Sequence, residues 1–100
     1  MLIYNTTYLV ADNQIEKWMR WLREDYLPFM LESGFSNAQV AKVLTSDPEQ
    51  EGSSISVQFH VADVATLNRW SEQYAEESER EFAMMFGSDV LSFTTVLEIL

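Results

Sequence analysis

The spacing of apolar residues switches from a period of 2 to a period of 3.6 and back, twice within 100 residues. This alternation is the tightest constraint on the fold, because side chains alternate sides along a strand but return to one face after about 3.6 residues along a helix. Residues 2–10 are rich in Ile, Tyr, Thr, Leu and Val, with no Gly or Pro, and read as a strand. Ile15, Trp18, Met19, Leu22, Tyr26, Phe29 and Met30 then share one helical face. Asp12 or Asn13 is the expected N-cap, with Glu16 closing a capping box on Asn13. Pro28 is expected to break or kink this helix, and Gly34 to end it.

The second half repeats the pattern. Residues 38–45 form a weaker strand candidate, and 47–52 a loop holding Pro48 and Gly52. Ile55, Val57, Phe59 and Val61 alternate with Ser54, Ser56, Gln58 and His60, the clearest strand of the chain. Asp63 caps a second helix that runs to Phe86 and closes at Gly87, and residues 90–100 are a last strand. The resulting order, β-α-β-β-α-β over residues 1–100 with no linker, predicts one α+β domain. It would be a ferredoxin-like four-stranded antiparallel sheet with two helices on one face.

The first and last strands of the sequence are apolar on both sides. The first carries Leu2, Tyr4, Tyr8 and Val10 on one face, Ile3 and Leu9 on the other. The last carries Val90 and Val96 on one face, Leu91, Phe93, Leu97 and Ile99 on the other. Such strands are usually covered on both sides. Burial of Tyr4, Tyr8 and Val96 is worth about 1.5–3 kcal/mol each. The expectation is a homodimer packed sheet to sheet.

Composition removes whole classes of function. A net charge of −10 and a sequence pI near 4.2 oppose phosphate backbones and anionic lipid, so neither nucleic acid nor a membrane is an expected partner. The absence of cysteine removes disulfides, thiolate catalysis and thiolate metal sites. No apolar run reaches the roughly 18 residues of a membrane span, and residues 1–7 lack the basic stretch of a secretory signal. A soluble cytoplasmic protein is expected. Gly34, Gly52 and Gly87 are isolated, so no phosphate-cradling loop exists.

Several strings resemble the dimeric α/β-barrel superfamily, and more closely a bacterial domain-of-unknown-function family of about this length. They are Ile3-Tyr4-Asn5-Thr6-Thr7, Trp18-Met19-Arg20-Trp21-Leu22, Tyr26-Leu27-Pro28 and Ser33-Gly34-Phe35. Ser56-Val57-Gln58-Phe59, Phe86-Gly87 and Phe93-Thr94-Thr95-Val96-Leu97-Glu98 extend the match over nearly the whole chain. The resemblance implies two ferredoxin-like subunits pressing their sheets together into a barrel. Members of that family often carry a histidine before the Leu-Pro pair, where this chain has Tyr26. The superfamily includes cofactor-independent monooxygenases, haem degraders, isomerases and ligand-sensing domains, so the resemblance widens the list of functions.

The candidate residues follow from these placements. Asn5 and Thr7 put polar groups on the Ile3–Leu9 face of the first strand, where an unpaired buried amide costs about 1–3 kcal/mol. Monooxygenases and haem degraders of the superfamily use a first-strand asparagine near a tryptophan, which Asn5 with Trp70 or Trp18 would imitate. Neither helix contains the histidine that haem ligation requires, and no cofactor is expected. Trp18, Trp21, Tyr26, Trp70 and Tyr74 are an aromatic set at helical spacing, suited to core or pocket. Ser71 and Ser78 leave the inner face of the second helix short of volume, the expected position of a pocket between helices and sheet.

Asn5, Trp70 and Tyr74 are therefore the catalytic candidates, and Asn5, Thr7, Trp18, Tyr26, Trp70 and Tyr74 the ligand-binding set. His60, the only histidine, has no partner at metal-ligand spacing, so no metal site is expected and a structural or interface role is favoured. Glu72, Glu76, Glu77, Glu79 and Glu81 read as a solvated helix face. The function expected is binding of a small apolar or aromatic molecule. The alternatives are cofactor-independent oxygenation or isomerisation, and a non-catalytic interaction dimer.

Overall fold

The computed structural model describes residues 1–44 and 51–100. Four strands form one antiparallel sheet in the order β2-β3-β1-β4: β1 (Leu2–Val10), β2 (Ser36–Lys42), β3 (Ser53–Val61) and β4 (Val90–Glu98). Two long helices complete the β-α-β-β-α-β order, α1 over residues 15–32 and α2 over residues 64–86. The ferredoxin-like architecture expected from the periodicity is present. The loop expected at 47–52 falls largely in residues 45–50, outside the described residues.

Register explains which sheet face the helices cover. Tyr4 pairs with Phe59, Thr6 with Val57 and Tyr8 with Ile55, so the alternate residues of β1 share a face with the apolar residues of β3. That face meets the inner stripe of the helices. Trp18, Leu22, Met30, Val10, Val57, Phe59 and Val61 are fully buried there, each contributing about 1.5–3 kcal/mol of transfer free energy. The structure corrects the assignment of Tyr4, Tyr8 and Val96 to the dimer face. All three lie on the helix side, and Tyr8 is buried by Trp18, Trp21 and Phe82 of its own chain. The opposite face carries Ile3, Asn5, Thr7 and Leu9 of β1 beside Leu91, Phe93, Thr95 and Leu97 of β4. Its β4 side chains are exposed, Phe93 to 65% and Leu91 to 58%.

Both helices contain a π-helical turn, Leu22–Tyr26 in α1 and Ser71–Ala75 in α2. The first accounts for Pro28, which neither breaks nor ends α1. The Leu27 N–H bonds back to the Leu22 carbonyl, five residues away, and Pro28 enters the first turn of the segment that follows, Leu27–Glu32. The widened turn gives the ring its room one turn upstream, and in a first turn the missing proline N–H costs little.

The expected capping box is not formed. Residues Asp12–Gln14 make a 3-10 turn instead, and no side chain caps α1. Asp63 does cap α2, its Oδ1 accepting the Thr66 N–H at 2.8 Å. Gly34 (φ +105°) and Gly87 (φ +55°) take the positive φ that ends a helix. Among the described residues, no helix is long and apolar enough to cross a membrane.

Candidate functional site

A cleft of about 780 Å³ opens between the helices and the β1–β4 half of the sheet. Its origin lies in side-chain size. β4 turns Ser92 and Thr94 toward the helices, where they pair in register with Tyr8 and Thr6. The part of α2 that lines the cleft carries Ala75, Ser78 and Ala83 among its larger residues. Small side chains on both layers leave the gap that the shortage of volume at Ser78 anticipated. Ser71, expected to contribute as well, does not line it.

The sheet floor is a row of hydroxyls between rings. Tyr4, Thr6 and Tyr8 alternate along β1, and the Thr6 and Thr94 Oγ1 atoms lie 3.0 Å apart in a hydrogen bond. The Tyr8 and Tyr26 phenols lie close enough for each to affect the other's ionisation. Burial pushes the Tyr4, Tyr8 and Tyr26 phenols above their ordinary value, because the phenolate loses its hydration. At neutral pH these groups are uncharged, able to donate or accept a hydrogen bond but not to serve as bases.

The walls are aromatic. Trp21 stacks on Tyr26 at 4.8 Å with 19° between planes, and Phe82 meets Trp21 edge-on at 4.9 Å. Phe29 and Tyr74 close a T-shaped pair at 5.4 Å, and Trp70 lies edge-on to Tyr4 at 5.6 Å. Tyr26 and Tyr74 both belong to π-helical turns, which aim side chains that a regular helix would place differently. Asp25, Glu77, Glu79 and Glu81 line the cleft and are solvent-exposed, so they form its mouth.

The structure brings Tyr26, Trp70 and Tyr74 together in this cleft but not the remaining candidates. Trp18 is fully buried beneath Tyr8 and does not line it. Asn5 and Thr7 lie on the other face of the sheet, so Asn5 is not brought to Trp70 or Trp18. The Asn5 Oδ1 instead accepts the Ser56 hydroxyl at 2.6 Å, within the pairing of β1 with β3. His60 is on that same face, with its Nδ1 3.1 Å from Asn37 Nδ2. Thr6, Tyr8 and Thr94 went unrecognised as site residues because strand periodicity groups them without saying which face the helices leave uncovered. Glu77, Glu79 and Glu81 are exposed, as expected of a solvated helix face, yet their position on the cleft is a tertiary fact, and Asp25 was not singled out. No cluster of three or more metal-ligating side chains occurs among the described residues.

The profile of the family DUF4286, a domain of unknown function, matches residues 1–100, and the chain belongs to that family. Among curated proteins, none matches. Three solved structures share the fold. A member of the ethyl tert-butyl ether D family from Bacillus halodurans is 12% identical, with a TM-score of 0.70 and all of both chains covered. A protein from Deinococcus radiodurans provisionally described as an antibiotic biosynthesis monooxygenase is 14% identical, with a TM-score of 0.71, covering 100% of this chain and 93% of that one. A dimeric ferredoxin-like protein from an uncultured marine organism is 11% identical, with a TM-score of 0.64, covering 99% and 94%.

Proposed function

We propose that this member of the DUF4286 family binds a small, flat aromatic molecule in the cleft between helices and sheet, as a homodimer joined through the open sheet faces. The observation that carries the binding reading is the floor of neutral hydroxyls at Tyr4, Thr6, Tyr8 and Thr94, with the Tyr26 hydroxyl beside it, inside aromatic walls. Flat rings stack or pack edge-on against such walls, and hydroxyls orient a ligand's carbonyl or phenol. A sealed layer between helices and sheet would have favoured an interaction dimer, and the layer is open.

Binding without turnover fits the cleft better than oxygenation or isomerisation. Either reaction needs a group to take the substrate's proton. The buried phenols are held protonated, the carboxylates stand at the solvent-exposed mouth, and Asn5 lies across the sheet.

Titration calorimetry with 2-naphthol tests the reading. Saturable binding is expected, weakened at least tenfold in Ser92→Trp, which fills the floor from an exposed strand position. No saturable binding by the wild type overturns it.

The dimer rests on Ile3, Leu9, Leu91, Phe93 and Leu97, which share the face away from the helices. An exposed apolar patch of this kind marks an association surface, and the residues Asn5, Thr7 and His60 would be enclosed with it. Light scattering at micromolar concentration should give twice 11.6 kDa. A monomeric mass contradicts the dimer.

A further inference from the structure

We infer that the cleft selects aromatic molecules that carry a positive charge, such as an aromatic ring bearing an ammonium or a quaternary nitrogen; this rests on the reading of the cleft as a ligand site. The charges around the cleft are of one sign. Four carboxylates line it, Asp25 from α1 and Glu77, Glu79 and Glu81 from α2, while none of the six lysines and arginines does. His60 is on the far face of the sheet.

The cations near α2 have partners of their own, Arg69 donating to the Thr66 hydroxyl at 3.3 Å. Arg80 pairs with Glu76 at 3.4 Å, and Lys17 donates to the Met85 carbonyl at 2.7 Å while lying 5.1 Å from the centre of the Phe86 ring. Among the described residues no lysine or arginine lines the cleft, although Met85, whose carbonyl Lys17 bonds, is one of its lining residues. Burial is the main cause of the raised Tyr4 phenol on the floor, and the negative charge of Glu79 acts in the same direction.

Two effects then act in the same direction. The negative face of an aromatic ring attracts a cation, most strongly where water is excluded, and eight aromatic side chains line this cleft. The ring of carboxylates within a largely low-dielectric wall focuses a negative potential at the entrance, which draws in cations and rejects anions. The hydroxyls on the floor add no charge of their own. A molecule with a carboxylate or phosphate meets only like charge here, whereas an aromatic cation finds stacking surface inside and counter-charge at the mouth.

The test compares three bicyclic probes that differ mainly in charge: N-methylquinolinium, 2-naphthol and 2-naphthoate. By calorimetry at low salt, the cation should bind at least tenfold more tightly than 2-naphthol, and 2-naphthoate at least tenfold more weakly. Raising salt to 0.5 M should shrink the cation's advantage, because exposed carboxylates are screened over a few ångströms. In the triple variant Glu77→Gln, Glu79→Gln, Glu81→Gln the advantage of the cation over 2-naphthol should fall below threefold.

These substitutions are on the exposed face of α2, and a thermal melt checks that the fold survives. If that variant fails to fold, the single Glu79→Gln change should still reduce the advantage at least twofold. Equal binding of all three probes overturns the charge selection and leaves the cleft as a ligand site. Failure of every probe to bind overturns both.

Discussion

A single glycine shows how tightly the chain is constrained where two segments meet. Gly52 has φ of +92°, and a Cβ there would overlap the Val10 carbonyl oxygen. Gly52→Ala should therefore destabilise the protein by about 2 kcal/mol or more, measured by urea unfolding. Trp18 is fully buried under Tyr8, and Trp18→Ala should cost about 3–5 kcal/mol in the same assay. The tyrosines give a pH signature. Tyr8 and Tyr26 are raised from an ordinary value of 10.0 in the folded protein, chiefly by burial. Unfolded chains then lose these protons first, so stability should be insensitive to them below pH 10 and fall as pH rises above it. Absorbance at 295 nm should show part of the tyrosine signal appearing only on unfolding. At this scale the sequence was least explicit. Asn5 drew attention as a polar residue in an apolar strand, and its partner is the hydroxyl of Ser56 across β3, a pairing that depends on register.

At the scale of elements, apolar periodicity located β1 and β3 to the residue and both long helices to within a turn, because each has one face buried in a common core. It could not show the π-helical turns. The first lies directly before Pro28, the one sign of it in the sequence, whereas the second, Ser71–Ala75, has no proline beside it. Helix ends were legible unevenly. Asp63 caps α2 with a bond to Thr66, whereas the start of α1 tightens into a 3-10 turn. Asp63→Ala should lower the midpoint of chemical denaturation, because the Thr66 N–H loses its cap. The carboxyl of Asp63 is held below its ordinary value, mainly by that backbone hydrogen bond. Its contribution is therefore present above the ordinary carboxylate range and fades as the pH falls through its lowered folded value.

For the whole molecule, two-sided apolar strands pointed to two covered faces, and the register shows how they are divided. Period 2 states which residues share a face but not which face receives the helices. That choice is made by the pairing of Tyr4 with Phe59 and Tyr8 with Ile55, which commits the tyrosine face of β1 to the core and leaves Ile3, Leu9, Leu91 and Phe93 outside. Phe93→Glu should therefore convert a dimer to a monomer by light scattering without loss of the helix–sheet core, since Phe93 is 65% exposed in the single chain.

The same division separates residues that the sequence reading had grouped. One face of the sheet holds Asn5 and Thr7, with His60 beside them, and the other holds the cleft lined by Tyr26, Trp70 and Tyr74. A two-dimensional amide NMR titration with 2-naphthol distinguishes them directly. Binding in the cleft predicts saturable shifts centred on Thr6, Tyr26, Trp70, Tyr74 and Thr94. Shifts confined to Asn5, Thr7 and His60, or none at all, would contradict it.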